Sequence, residues 1–258
     1  MEKNTLKPMS KKIILITGAT SGIGLSTSKL LYNEGHSLIL CGRNKKKLSD
    51  LSKELNNKTH FLTFDVRNKK EVFQAISSIP KEFKEIDVLI NNAGNAHGLD
   101  FAHESNISDW EEMIDGNVKG VFYVTKSILD GMVANKSGQI INVGSIAGKE
   151  TYPKGNVYCA SKAAVEKFTE GLRLDLNPFG IRVGAIHPGL VETNFSSVRF
   201  KGNKERAKKV YDGYKPLSPN DIAECISYMI NAPKHVNIAD LTVLPTDQAG
   251  AYVLNKSN

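Results

Sequence analysis

The sequence predicts a doubly wound α/β fold, a single parallel sheet of about seven strands with helices on both faces. Short β-rich runs alternate along the whole chain with longer segments of helical periodicity, the pattern of repeated βα units. The runs are continuously apolar, as strands buried on both faces must be. No linker, repeat or low-complexity tract divides the 258 residues, a length one α/β domain can reach. One domain is expected over 11–258, after a polar extension over 1–10.

The first run, "KIILIT", leads into "TGATSGIG", with Gly18, Gly22 and Gly24 between a strand and a helix. Glycines there let the backbone turn tightly and approach a pyrophosphate, while the helix N-terminus offers free N–H groups and a positive dipole end. A tight turn alone explains one or two of these glycines, not three. The second run, "SLILCG", ends in Arg43 and Asn44. A nucleotide fold of this design presents a carboxylate there when it binds the ribose diol of NAD. Arg43 stands in its place, with Lys45 and Lys46 nearby. A guanidinium suits a 2′-phosphate, so NADP is favoured and NAD is the alternative.

A helix over 45–55 leads to the third run, "HFLTFDV", which ends at Asp65 and Val66. After a helix over 69–79, the fourth run, "DVLINN", ends in Asn91-Asn92-Ala93-Gly94, placed for a role against the adenosine half. A long helix over 109–134 carries Asn117. The fifth run, "QIINVGS", ends at Ser145, whose surroundings lack the spacing of a G-x-S-x-G nucleophile elbow and exclude a serine hydrolase.

The helix over 157–176 places the phenol of Tyr158 one turn before the ammonium of Lys162, with small Ala160 and Ser161 between them. Positions i and i+4 share a helix face. A phenol beside a fixed cation loses its proton more readily, which suits proton exchange with a carbonyl or hydroxyl oxygen near neutral pH. The sixth run, "IRVGAIHPG", ends at Pro188-Gly189; His187 before it is read as a packed strand-end residue rather than a group tuning a nicotinamide pocket. The irregular stretch 191–214 follows that strand's carboxyl end, where ligands bind in such folds, and is a candidate substrate lid. A helix over 219–231 and the run "LTVLPT" complete the series.

Composition narrows the classes. Hydrophobic residues make up 40% and charged residues 24%, and no apolar run reaches the length of a membrane span, so a soluble protein is expected. The opening "MEKNTLKPMSKK" lacks the apolar core of a signal peptide, and the cytoplasm is the expected compartment. The net charge of +7 comes from short lysine runs on exposed helix faces without interleaved aromatic residues, which argues against nucleic acid. Cys41, Cys159, Cys225 and the six histidines lack metal-site spacing, and no metal is assigned.

Taken in order, Thr17-Gly18-x-x-x-Gly22-x-Gly24, Asn91-Asn92-Ala93-Gly94, Ser145, Tyr158-x-x-x-Lys162 and Pro188-Gly189 resemble the short-chain dehydrogenase/reductase family, a single-domain Rossmann-type fold, from Lys11 onward. The resemblance implies that Tyr158 is the general acid/base and that Lys162 lowers its pKa and holds the nicotinamide ribose. It implies that Ser145 bonds the substrate oxygen and that Asn117 seats a water for proton relay. Cofactor contacts follow at Gly18, Thr20, Ser21, Gly22, Ile23 and Gly24, at Arg43, Asp65 and Val66, at Asn91, Ala93 and Gly94, at Tyr158 and Lys162, and at Pro188, Gly189, Val191 and Thr193.

Within the family, "YPKGNVYCASK", "GLVETNFSSVRFKGNKERAKKVY" and "HVNIADLTVLPTDQA" resemble the NADP-dependent 3-hydroxy acid dehydrogenases, the serine and allo-threonine dehydrogenase group. This implies hydride transfer at the 3-hydroxyl or 3-oxo carbon of a small hydroxy acid, in a homotetramer. A carboxylate substrate needs a cation, and Arg199 in the lid is the candidate, with Lys154 second. A general carbonyl reductase, a 3-oxoacyl-carrier-protein reductase and a non-enzymatic NADP sensor are the competing readings.

Overall fold

The apolar runs form seven strands: β1 (Ile13–Thr17), β2 (Ser37–Gly42), β3 (Thr59–Thr63), β4 (Val88–Asn91), β5 (Gly138–Val143), β6 (Ile181–Pro188) and β7 (Asp240–Val243). All pair in parallel, in the order β3-β2-β1-β4-β5-β6-β7. This computed structural model describes residues 11–256; the polar extension read over 1–10 lies outside the described residues.

Nine helices connect and cover the described strands: α1 (Gly22–Asn33), α2 (Lys45–Glu54), α3 (Lys69–Ser77), α4 (Ile107–Ile114), α5 (Gly120–Ala134), α6 (Asn156–Leu176), α7 (Phe195–Arg199), α8 (Lys204–Lys209) and α9 (Pro219–Asn231). The alternation of side chains along each strand sorts the core into two layers. Ile14 and Ile16 of β1 pack with Leu31, Leu48, Ile222 and Ile226 of α1, α2 and α9. Leu15, between them, faces the opposite layer with Val72, Val124, Ile128 and Leu172 of α3, α5 and α6. Full burial of each such side chain contributes roughly 1.5–3 kcal/mol.

The sheet order reverses between β1, whose chain winds outward to β2 and β3, and β4, which begins the other half. The connections leaving β1 and β4 therefore diverge and open a crevice at the strands' carboxyl ends. Helix boundaries match the sequence reading within a few residues, with one substantive correction. The segment read as one helix over 109–134 is two helices, α4 and α5, joined by a π-helical turn at Asp115–Lys119. The third strand also ends earlier than "HFLTFDV" suggested, leaving Asp65 and Val66 in the loop beyond it.

Candidate active site

One cavity of about 600 Å³ runs along the carboxyl ends of the strands. It is lined by the β1–α1 turn, the ends of β2 and β4, the segments after β3 and β5, α6, and the stretch after β6.

The three glycines of the first turn have three different reasons. Gly18 and Gly22 have φ of +66° and +50°, a left-handed backbone that other residues resist. Gly24 is not cavity lining: a Cβ there would run into the carbonyl of Gly18 and the side chain of Asn92, so it sets how closely α1 meets β1. Ser21, the N-cap of α1, makes no capping bond with its side chain, and the first turn carries no acid. The helix presents its N–H groups to the cavity, which Thr20, Ser21, Gly22 and Ile23 line.

At the end of β2, Arg43 lines the cavity with its side chain 61% exposed, its Nη1 3.8 Å from Asp65 Oδ2. Asn44 caps α2 by accepting from Lys47 N at 3.0 Å. The second cation lining this end is Lys47; Lys45 and Lys46, the lysines read as near, are not among the lining residues. Asp65 and Val66 also line it. Burial pushes the Asp65 carboxyl up, but hydrogen bonds from Arg67, one of 2.7 Å, and the charges of Arg67 and Arg43 hold it below its ordinary range. Arg67 reaches Glu112 at 3.5 Å, and Glu112 lies 3.2 Å from His97. These three lining residues were not singled out from sequence. A cradle of uncapped N–H groups, with Arg43 and Lys47 at its far end and Arg67 tied to Asp65, fits a dinucleotide carrying a 2′-phosphate.

Asn91 is placed differently from the sequence reading. It is buried inside the sheet, where its Nδ2 donates to Thr125 Oγ1 and to Asn142 Oδ1, both at 2.9 Å, and it does not line the cavity. Its neighbour Asn92 does the work at the turn, its side chain donating to the Thr17 carbonyl at 2.8 Å. The amides of Asn92 and Ala93 both donate to Thr17 Oγ1 at 3.0 Å, drawing Ala93 and Gly94 into the cavity wall.

Tyr158, Lys162 and Ser145 meet in the middle of the cavity. Ser145 follows β5 and caps a short 3₁₀ turn (Ile146–Gly148), its Oγ accepting from Ala147 N at 3.1 Å. Lys162 Nζ donates to the carbonyl of Val143 at 2.9 Å. Burial lowers the Lys162 ammonium to about 8. Burial and the nearby Tyr152 phenol push Tyr158 up, which a hydrogen bond with Ser145 and the charge of Arg199 offset only in part. The phenol therefore keeps its proton at neutral pH; the sequence reading expected Lys162 to lower it, but burial outweighs the groups that do so, Ser145 and Arg199.

Asn117 sits in the π turn, buried behind the cavity rather than lining it. The extra residue of the turn rotates its side chain inward, where Oδ1 accepts from Asn95 N and Nδ2 donates to Asn95 O, each at 2.8 Å, and to Ser161 Oγ at 3.0 Å. It fixes the loop beyond Gly94 beside the ammonium of Lys162.

Of the stretch 191–214, read from sequence as a candidate lid, Val191, Thr193, residues of α7 and, beyond α8, Val210 and Tyr211 line the cavity. Arg199 donates from Nε to the carbonyl of Gly98 at 2.9 Å and from Nη1 to the hydroxyl of Tyr152 at 3.1 Å. Its guanidinium carbon lies 5.7 Å from the centre of the Tyr158 ring. Lys154 is outside the lining: it is exposed, with its ammonium 4.2 Å above the ring of Phe101. Pro188 and Gly189 form the opposite wall, and Gln248, missed from sequence, joins it by accepting from Leu190 N at 2.8 Å.

Known proteins resemble this chain in sequence and fold. The family model described as short chain dehydrogenase matches residues 12–204. The NADP-dependent 3-hydroxy acid dehydrogenase YdfG of Escherichia coli K12 is 43% identical over 240 residues, covering 93% of this chain and 97% of the relative. An NADP-dependent 3-hydroxy acid dehydrogenase of Schizosaccharomyces pombe is 44% identical over 245 residues, covering 93% and 95%. The solved closed form of a serine dehydrogenase complexed with NADP+ superposes with a TM-score of 0.91 at 42% identity, covering 95% of this chain and 99% of that one.

Proposed function

The chain belongs to the short chain dehydrogenase family, and from that premise we propose that it is an NADP-dependent oxidoreductase acting between the 3-hydroxyl and the 3-oxo group of small 3-hydroxy acids. The names of its relatives support both the cofactor and the substrate class. The observation that carries the substrate class is Arg199, a guanidinium beside Tyr158 whose hydrogen-bonding partners, Gly98 O and Tyr152 Oη, are both neutral. Its positive charge is left to a carboxylate on the substrate.

When bound, the reduced nicotinamide supplies a hydride to the carbonyl carbon. Ser145 holds the carbonyl oxygen against Tyr158, which gives its proton to that oxygen as the hydride arrives; oxidation reverses both transfers. The phenol, kept protonated by burial, is charged correctly for reduction. Lys162, fixed by Val143 and brought to about 8, lies in the range where it restores the proton to Tyr158, and Asn117 holds the loop that confines it. Arg43 and Lys47 hold the 2′-phosphate, and the α1 N-terminus holds the pyrophosphate.

We place the enzyme in the cytoplasm as a homotetramer. Among the described residues no helix is long and apolar enough to cross a membrane. Phe122 of α5, its ring centre 4.4 Å from that of Phe168 on α6, is a large apolar side chain left exposed, which supports burial of this face against a second subunit. Light scattering tests the tetramer.

Initial rates with NADP and NAD against L-serine, L-allo-threonine, 3-hydroxybutyrate and a simple secondary alcohol test the assignment. Turnover of the acids with NADP is expected. Turnover of uncharged carbonyls alone would leave the dehydrogenase and remove the hydroxy-acid reading; cofactor binding without any turnover would favour the sensor.

A further inference from the structure

Behind Ser145, on the side away from the cavity, four charged or titratable side chains from four segments converge. His187 of β6 is fully buried, with Nε2 3.2 Å from Asp240 Oδ2 on β7. Asp240 is bound at 2.6 Å by Lys149, the residue that ends the 3₁₀ turn begun by Ser145. Lys149 reaches Glu166 of α6 at 3.2 Å. Neither nitrogen of His187 is in hydrogen-bond alignment with a partner.

The imidazole is pressed against the backbone that carries the serine. A Cβ on Gly144 would lie 2.6 Å from His187 Nδ1, so only glycine fits between the ring and Ser145. Gly144 N donates to Ile186 O at 2.7 Å, tying that backbone to the residue before His187. Ser145 is thus fixed from both sides: before it, Gly144 rests on His187; after it, the turn is anchored through Lys149 to Asp240 and Glu166. The residue after His187, Pro188, lines the cavity. One cluster, with His187 buried and Asp240 reaching the surface, meets both walls of the reaction centre.

We propose that His187, packed against Gly144 and facing Asp240, is a positioning residue that sets Ser145 in place for the reaction, and that the neutral imidazole is the competent form. The inference rests on the reading of Ser145 as the group that holds the substrate oxygen. Protonation would add a second N–H and a positive charge beside the Gly144–Ser145 backbone, and the groups facing the ring, Asp240, Lys149, Glu166 and the Ser145 backbone, govern when that happens. Burial lowers His187, as does Lys149, while Asp240, Glu166 and the Ser145 backbone raise it.

The test is the pH dependence of kcat from pH 5 to 9 for the native enzyme, His187→Phe, His187→Gln and Asp240→Asn, with circular dichroism and KM for NADPH measured alongside. His187→Phe is expected to lower kcat roughly 10- to 100-fold at unchanged KM for NADPH, because a small displacement of a reacting group is costly. His187→Gln, which keeps a polar group facing Asp240, restores most of that loss. Asp240→Asn moves the acid-side fall of kcat to lower pH, since the carboxylate that raises His187 is gone. Native kcat in His187→Phe, or equal losses in Phe and Gln, would overturn the proposal. Should His187→Phe fail to fold, Asp240→Asn decides alone, because its side chain is 46% exposed and the fold tolerates it; an unmoved acid limb would sink the idea. A native enzyme inactive on every substrate would instead remove the proposed function.

Discussion

The ammonium of Lys162 donates to the carbonyl oxygen of Val143 across 2.9 Å, so a buried cation is tied to the last residue of β5. Burial has lowered it to about 8 from 10.5. Between those values the unfolded chain binds more protons than the folded one, so this group's destabilising effect is complete below pH 8 and fades as pH rises toward 10.5. Lys162→Met removes the effect. Relative to the native protein, the variant is expected to lose up to about 3 kcal/mol of its advantage between pH 7 and the alkaline limit. Urea unfolding at pH 7 and 9.5 checks this, and a pH-independent difference would contradict it.

Tyr158→Phe removes the proton and keeps the ring that packs 5.7 Å from Phe195. A fall in kcat of roughly 10²–10⁴-fold is expected. Fluorescence titration with NADPH should give a nearly native Kd, which separates a chemical role from a binding one.

Arg199→Met is expected to raise KM for 3-hydroxybutyrate or serine roughly 10- to 100-fold, the worth of a charge-assisted bidentate contact. The lid also loses its bonds to Gly98 and Tyr152, so an uncharged ketone serves as the control. An equal effect on both substrates would reduce Arg199 to a lid contact.

At the far end of the cavity, Arg43→Ala should raise the Kd of NADPH about 10-fold or more, the cost of a lost charged hydrogen bond. The Kd of NADH should stay where it was. Parallel losses for both cofactors would show that Arg43 supports the loop instead of reading the phosphate.

Gly24→Ala forces a methyl group against the Gly18 carbonyl. Because neither backbone can move freely, a destabilisation of about 1–3 kcal/mol is expected, together with weaker NADPH binding. Thermal melting and titration measure the two effects.

The strands and their burial were legible because continuous apolar runs admit few other arrangements, and the Tyr158–Lys162 pair was legible because helical spacing alone brings it onto one face. The π turn at Asn117 was not, since 109–134 carries a helical pattern throughout and the break depends on bonds to Asn95, distant in sequence. Asn91 and Asn92 are adjacent, but strand alternation sends one into the sheet and the other to the turn, a choice that a four-residue motif leaves open. Lys47 faces the cavity, where Lys45 and Lys46 do not, because the direction of α2 depends on how its N-cap meets β2. Arg199 was found by its charge, but its neutral partners could be known only from the fold.

Asn91 also belongs to a chain of bonds that crosses the sheet. Thr125 on α5 accepts from Asn91 on β4, which donates in turn to Asn142 on β5, whose amide donates to Thr169 on α6 at 2.8 Å. Four buried polar side chains thus satisfy one another only when β4 and β5 are aligned with Asn91 opposite Asn142. The apolar residues on either side would tolerate a shift of two positions, since that returns them to the same faces. The ladder would not, because each orphaned group costs about 1–3 kcal/mol. It therefore specifies a single register between β4 and β5, and with it the alignment of the two halves of the crevice.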